Sequence, residues 1–128
     1  MSKDKNKQIT KRPLTALLIA PDELIRESIL DGSKKISIRQ GCRDYQVGDV
    51  LMLCCHIEPW CVMADVTDVK YSKLRDVTQE EYLADGFKDY SHMLEGMRRF
   101  YPDLNQESLM TILRWDNVRG KLVDEFDD

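Results

Sequence analysis

The chain has 128 residues, 42% hydrophobic and 33% charged, with a formal net charge of −4. That balance fits one globular domain with a single core and excludes a disordered chain. An acidic total argues against broad, sequence-blind binding to a nucleic-acid backbone, which needs many cations, but leaves room for a small basic pocket that reads one base.

Residues 1–12 hold Lys3, Lys5, Lys7, Lys11 and Arg12 against Asp4 and are expected to form a disordered basic arm. They lack the apolar stretch of a secretory signal. No run of eighteen apolar residues is present, so no membrane span is expected. We therefore expect a cytoplasmic protein. The domain is expected over residues 13–118, and residues 119–128 form an acidic tail.

Thr15 to Ala20 (TALLIA) reads as a buried strand. Pro21, Asp22 and Glu23 suit the first turn of a helix. That helix is predicted to run to about Asp31, with Ile25 and Ile29 facing inward, and Gly32 stops it. A strand follows over Lys35 to Arg39. Gln46-Val47-Gly48-Asp49 is a tight turn. Val50 to His56 and Trp60 to Val69 read as an antiparallel hairpin broken at Glu58-Pro59, with Val62, Ala64 and Val66 toward the core. Thr78-Gln79-Glu80-Glu81 is a capping box opening a short helix that ends at Asp85-Gly86. Tyr90, Met93, Leu94, Met97, Phe100 and Tyr101 form one apolar helical stripe, assigned to the core. Leu109 to Trp115 is the last strand. Hairpins without regular βαβ alternation make the class α+β. About five mainly antiparallel strands with two or three flanking helices suggest a partly open barrel.

Four cysteines, Cys42, Cys54, Cys55 and Cys61, occur without a signal peptide, so reduced thiols are expected. Adjacent Cys54 and Cys55 face opposite sides of a strand, and no C-x-x-C pair exists. No metal and no cofactor are expected. His56 and His92 have no triad partners and read as structural. Tyr45, Trp60 and Tyr71 read as packing residues.

Residues 31–39 gather the groups that a small anionic or amide-bearing ligand needs. Alternation puts Lys35, Ser37 and Arg39 on one face, taken as the wet one, and Ile36 and Ile38 on the other. Lys34 lies in the hinge after Gly32. To deprotonate a serine, a lysine must be desolvated enough to lose its own proton. Arg39 offers a planar fork of donors.

Gly32-x-Lys34-x-x-Ser37-x-Arg39, then Val47-Gly48-Asp49-Val50, then Asp85-Gly86-Phe87, resemble the signature of ASCH domains. These are PUA-like β-barrels related to RNA-binding modules. The resemblance spans about residues 14–116. It implies a small PUA-like barrel and a cleft at the motif strand, with Gly32, Lys35 and Arg39 as ligand-binding residues. One ASCH subfamily is similar to amidohydrolases that deacetylate N4-acetylcytidine, using a lysine base, a threonine nucleophile and a glutamate proton donor. On this chain those roles would fall to Lys34, Ser37 and Asp85, the last two standing in for threonine and glutamate. Three readings follow. The domain binds a nucleobase, nucleoside or RNA element; or it is an amidohydrolase or related RNA-processing hydrolase; or it is a protein-interaction domain with an idle cleft. The oligomeric state is left open.

Overall fold

The computed structural model describes residues 14–20, 22–55 and 59–120. The basic arm, Pro13, Pro21, His56 and residues 121–128 of the acidic tail lie outside the described residues. The elements are β1 (Leu14–Ile19), α1 (Glu23–Leu30), β2 (Ile36–Gln40), β3 (Val50–Cys55) and β4 (Trp60–Lys73). A 3-10 turn (Leu74–Asp76), α2 (Gln79–Asp85), α3 (Tyr90–Arg98) and β5 (Leu109–Arg119) complete the order. This is the α+β fold that the alternation of patterns predicts.

The five strands form one curled sheet, a half-barrel, in the order β1-β3-β4-β5-β2. Three pairings are antiparallel, but β1 runs parallel to β3. The inner face carries Leu17, Leu51, Leu53, Val62, Ala64, Val66, Leu113 and Trp115, closed by Ile29 of α1. A second core lies on the other face, where Ile36, Ile38, Met110 and Ile112 meet Met93 and Met97 of α3. The sheet is therefore buried on both sides around β2 and β5.

Several expectations change here. Ser37 is not on a wet face; it is 5% exposed, because its partner Leu113 belongs to the inner core. Phe100 leaves the apolar stripe and is 72% exposed; α3 has ended at Arg98, so the helical phase no longer aims it inward. β4 and β5 outrun their predicted ends, because they pair with each other as far as Lys73–Leu109 at one end and Met63–Arg119 at the other. The cysteines are not all reduced: Cys54 and Cys61 form a disulfide, in which Cys42 and Cys55 take no part. Strand register explains it, since Cys54 and Cys61 are directly opposed neighbours in the hairpin.

The loop from β2 to β3 is pinned across the half-barrel. The fully buried Thr111 hydroxyl accepts from the Arg43 N–H at 2.9 Å and donates to the Gly41 carbonyl at 2.7 Å. The Tyr71 hydroxyl donates to the Arg43 carbonyl, and the Tyr45 hydroxyl to the Ala16 carbonyl of β1. The tight turn forms as predicted, with Gly48 at φ 95° and the Asp49 carboxylate accepting from the Gln46 N–H. His92 accepts from the Lys88 N–H and meets the Phe87 ring edge-on.

The capping box of α2 is present: the Glu81 N–H donates to the Thr78 hydroxyl, and the Thr78 N–H to the Glu81 carboxylate. That carboxylate is buried and also pairs with Lys70 of β4 at 2.8 Å. Burial opposes its ionisation, yet Lys70 and Thr78 together hold the carboxyl below its usual value. Glu81→Ala is expected to cost about 2 kcal/mol at neutral pH. A depressed carboxyl stabilises the fold above its unfolded-state value, and that contribution is lost as pH falls through the folded-state value. Denaturant titrations at neutral and acid pH check this: the gap between wild type and variant closes in acid.

Candidate functional site

The site begins where α1 ends. Asp22 caps α1 by accepting from the Leu24 N–H, and the helix stops at Gly32, whose φ of 83° suits a residue without a Cβ. The Lys34 N–H then donates to the Ser28 carbonyl at 2.9 Å, so the hinge is tied back onto the helix. This places Lys34 just ahead of β2 and releases it from the strand alternation.

The other half arrives from 51 residues downstream. Asp85 is the last residue of α2, and Gly86, at φ 109°, terminates that helix. The Lys34 ammonium donates to the Asp85 backbone carbonyl at 2.9 Å and to its Oδ1. A cation at a helix C-terminus is favourable in itself. The second carboxylate oxygen accepts from the Ile38 N–H at 3.4 Å. Asp85 thus also caps a donor on the edge strand β2. The side chains of Lys34 and Asp85 are only 15% and 10% exposed. Burial pushes the Asp85 carboxyl above its usual value, against the pull of Lys34, Arg39 and the Ile38 N–H.

Ser37 and Arg39 stand beside this pair. The Arg39 Nε donates to Ser37 Oγ at 2.7 Å. Arg39 is close enough to act electrostatically on Asp85 without an ion-pair contact. The expected hydrogen bond between Lys34 and Ser37 is not among those of the described residues; both partners of the lysine amine belong to Asp85. Lys35 does not join the group. It makes an exposed ion pair with Asp116 at 3.0 Å. Gly32 contributes the hinge geometry.

A cleft of about 270 Å³ opens over the pair, lined by Leu24, Ile25, Ser28, Ser33, Lys34, Ala84, Asp85 and Gly86. Its walls are α1 and the end of α2. Sequence reasoning found Lys34 and Asp85 but not the apolar walls. The signal available for them was the i, i+1, i+4 arrangement of Leu24, Ile25 and Ser28 on α1 ahead of the Gly32 hinge. What the arrangement offers chemically is a donor and an acceptor side by side, on a floor between apolar walls.

Comparison with known proteins bears on the fold. The family model of a domain of unknown function, DUF3850, matches residues 17–73. No curated protein matches the sequence. An ASCH domain from Lactobacillus crispatus superposes with a TM-score of 0.64 at 17% identity, over 91% of this chain and 85% of that one. A protein from Enterococcus faecalis, of the family model DUF984, gives 0.70 at 12% identity, over 97% and 86%. The ASCH protein from Zymomonas mobilis gives 0.58 at 10% identity, over 86% and 74%. Among the described residues, no helix is long and apolar enough to cross a membrane. The curled sheet, its mixed strand order and these superpositions together make this the α+β fold of ASCH domains, the PUA-like half-barrel.

Proposed function

We propose that the domain binds a nucleobase or nucleoside in the cleft between α1 and α2. The observation that carries this is the nearly buried Lys34–Asp85 pair on the cleft floor. A ring edge with adjacent acceptor and donor groups matches an ammonium beside a carboxylate. The apolar flanks, Leu24, Ile25 and Ala84, suit the faces of the ring. The charge balance agrees: one base needs no extended basic surface.

Titration calorimetry with cytidine and N4-acetylcytidine tests the reading. Wild type is expected to bind at least one of them. Asp85→Asn is expected to weaken binding by about tenfold, the loss of one charge-assisted hydrogen bond. Absence of heat with either ligand rejects the proposal and favours a domain whose cleft is idle.

A second reading, an amidohydrolase, is favoured by Asp85. Burial drives its carboxyl toward the protonated form, which a proton donor requires. In this reading Ser37 Oγ attacks the amide carbon, Lys34 takes the hydroxyl proton, the C–N bond breaks as Asp85 protonates the leaving amine, and water then hydrolyses the acyl-serine to free acetate. The Lys34 ammonium must first leave Asp85 and lose its own proton. Release of acetate from N4-acetylcytidine by wild type, lost in Ser37→Ala, supports this reading. Binding without release leaves the first.

A further inference from the structure

The terminal nitrogens of Arg39 have no partner among the described residues. Its Nε is occupied by Ser37 Oγ, and among the described residues no carboxylate lies within ion-pair distance of it. Other basic side chains of the sheet are answered by carboxylates: Lys70 by Glu81, Arg114 by Glu80, Arg119 by Asp65. Lys34 is answered by Asp85. Taken as a unit, Lys34 and Asp85 are neutral. Arg39, which is half-buried, therefore carries a positive charge that no ion pair among the described residues answers, near enough to Asp85 of the cleft to act on it electrostatically.

Its geometry is set for an anion. With Nε tied to Ser37, the guanidinium plane is fixed and its two Nη groups form the fork that meets two oxygens at once. Ser37 adds a third donor. Its oxygen accepts from Arg39, and its own proton has no acceptor among the described residues, although the residue is only 5% exposed. A buried donor of this kind calls for an acceptor. Arg39 and Ser37 thus supply donors and positive charge.

We propose that Arg39 and Ser37 form a subsite for a nucleotide phosphate, next to the cleft that takes the base. The ligand is then a nucleotide, free or within an RNA strand, rather than a nucleoside. The nucleotide part of the proposal rests on the binding reading above. The anion subsite does not, and the experiment separates them.

The first measurement follows the Arg39 Nε–Hε resonance by NMR during titration with inorganic phosphate at constant ionic strength. A saturable shift is expected in wild type. The second compares cytidine, cytidine 5′-monophosphate and a short oligocytidylate without a terminal phosphate, in wild type and in Arg39→Gln shown to be folded by circular dichroism. A phosphate-bearing ligand is expected to bind at least about tenfold tighter than cytidine in wild type, an advantage that Arg39→Gln removes. Which of the two gains more names the source of the phosphate. No saturable shift with phosphate, or equal affinities for cytidine and both phosphate-bearing ligands in wild type, overturns the subsite. A saturable shift with no binding of any nucleoside leaves the anion subsite standing and removes the base reading.

Discussion

Lys34→Met is expected to lower the unfolding free energy by about 3 kcal/mol at neutral pH, because it strands a buried carboxylate. Methionine keeps most of the volume and the apolar stem. What is lost is the ammonium that meets both the Asp85 carboxylate and its backbone carbonyl. Of its hydrogen bonds among the described residues, Asp85 keeps the long contact from the Ile38 N–H, at 3.4 Å, with Arg39 acting on it from a distance. The deficit should depend on pH in a definite direction. Burial raises the Asp85 carboxyl above its ordinary value of 3.8, and Lys34 restrains that rise. A raised carboxyl stabilises the fold below its unfolded-state value, and this contribution is lost as pH rises through the folded-state value. Without Lys34 the rise is larger, so the deficit grows from acid to neutral pH. Lys34→Met/Asp85→Asn should recover most of the loss at neutral pH, since no charge then remains buried. Denaturant unfolding of the two variants across that range checks this. A deficit that does not change with pH would mean that the lysine acts through packing alone.

Thr111→Val is expected to cost about 2–3 kcal/mol and to loosen the loop across the half-barrel. The substitution keeps shape and removes a hydroxyl that makes two hydrogen bonds, one accepted from the Arg43 N–H and one donated to the Gly41 carbonyl. Both backbone groups are then left without that partner where Thr111 is fully buried. The penalty is their desolvation rather than the modest net value of a hydrogen bond. Hydrogen exchange should show the Arg43 amide losing protection, while amides of β3 and β4 keep theirs. An unchanged exchange rate at Arg43 would show that the loop is held by Tyr45 and Tyr71 instead.

The elements themselves were legible wherever the cause was local. The capping box at Thr78, the glycine stops at Gly32 and Gly86 and the turn at Gly48 depend on residues a few positions apart. Sequence reports such contacts directly. The inward row Val62, Ala64 and Val66 follows from strand alternation alone. Lys34 and Asp85 could be named together only through the resemblance to a known motif, because nothing local links residues 51 positions apart.

Tertiary structure decided the rest. The parallel pairing of β1 with β3 is one such feature, because alternation reads the same for either strand direction. Ser37 is polar on a strand and so read as exposed. Only the pairing of Ser37 with Leu113, and of β5 with β4, puts it on the inner face. Cys54 and Cys61 read as separate thiols until hairpin register set them opposite each other. Lys35 and Arg39 looked equivalent on one face, yet one reaches Asp116 and the other Ser37. Alternation along a strand determines which residues share a face. Which partners that face meets depends on register and on the elements laid across it, and these are set by contacts far apart in the chain.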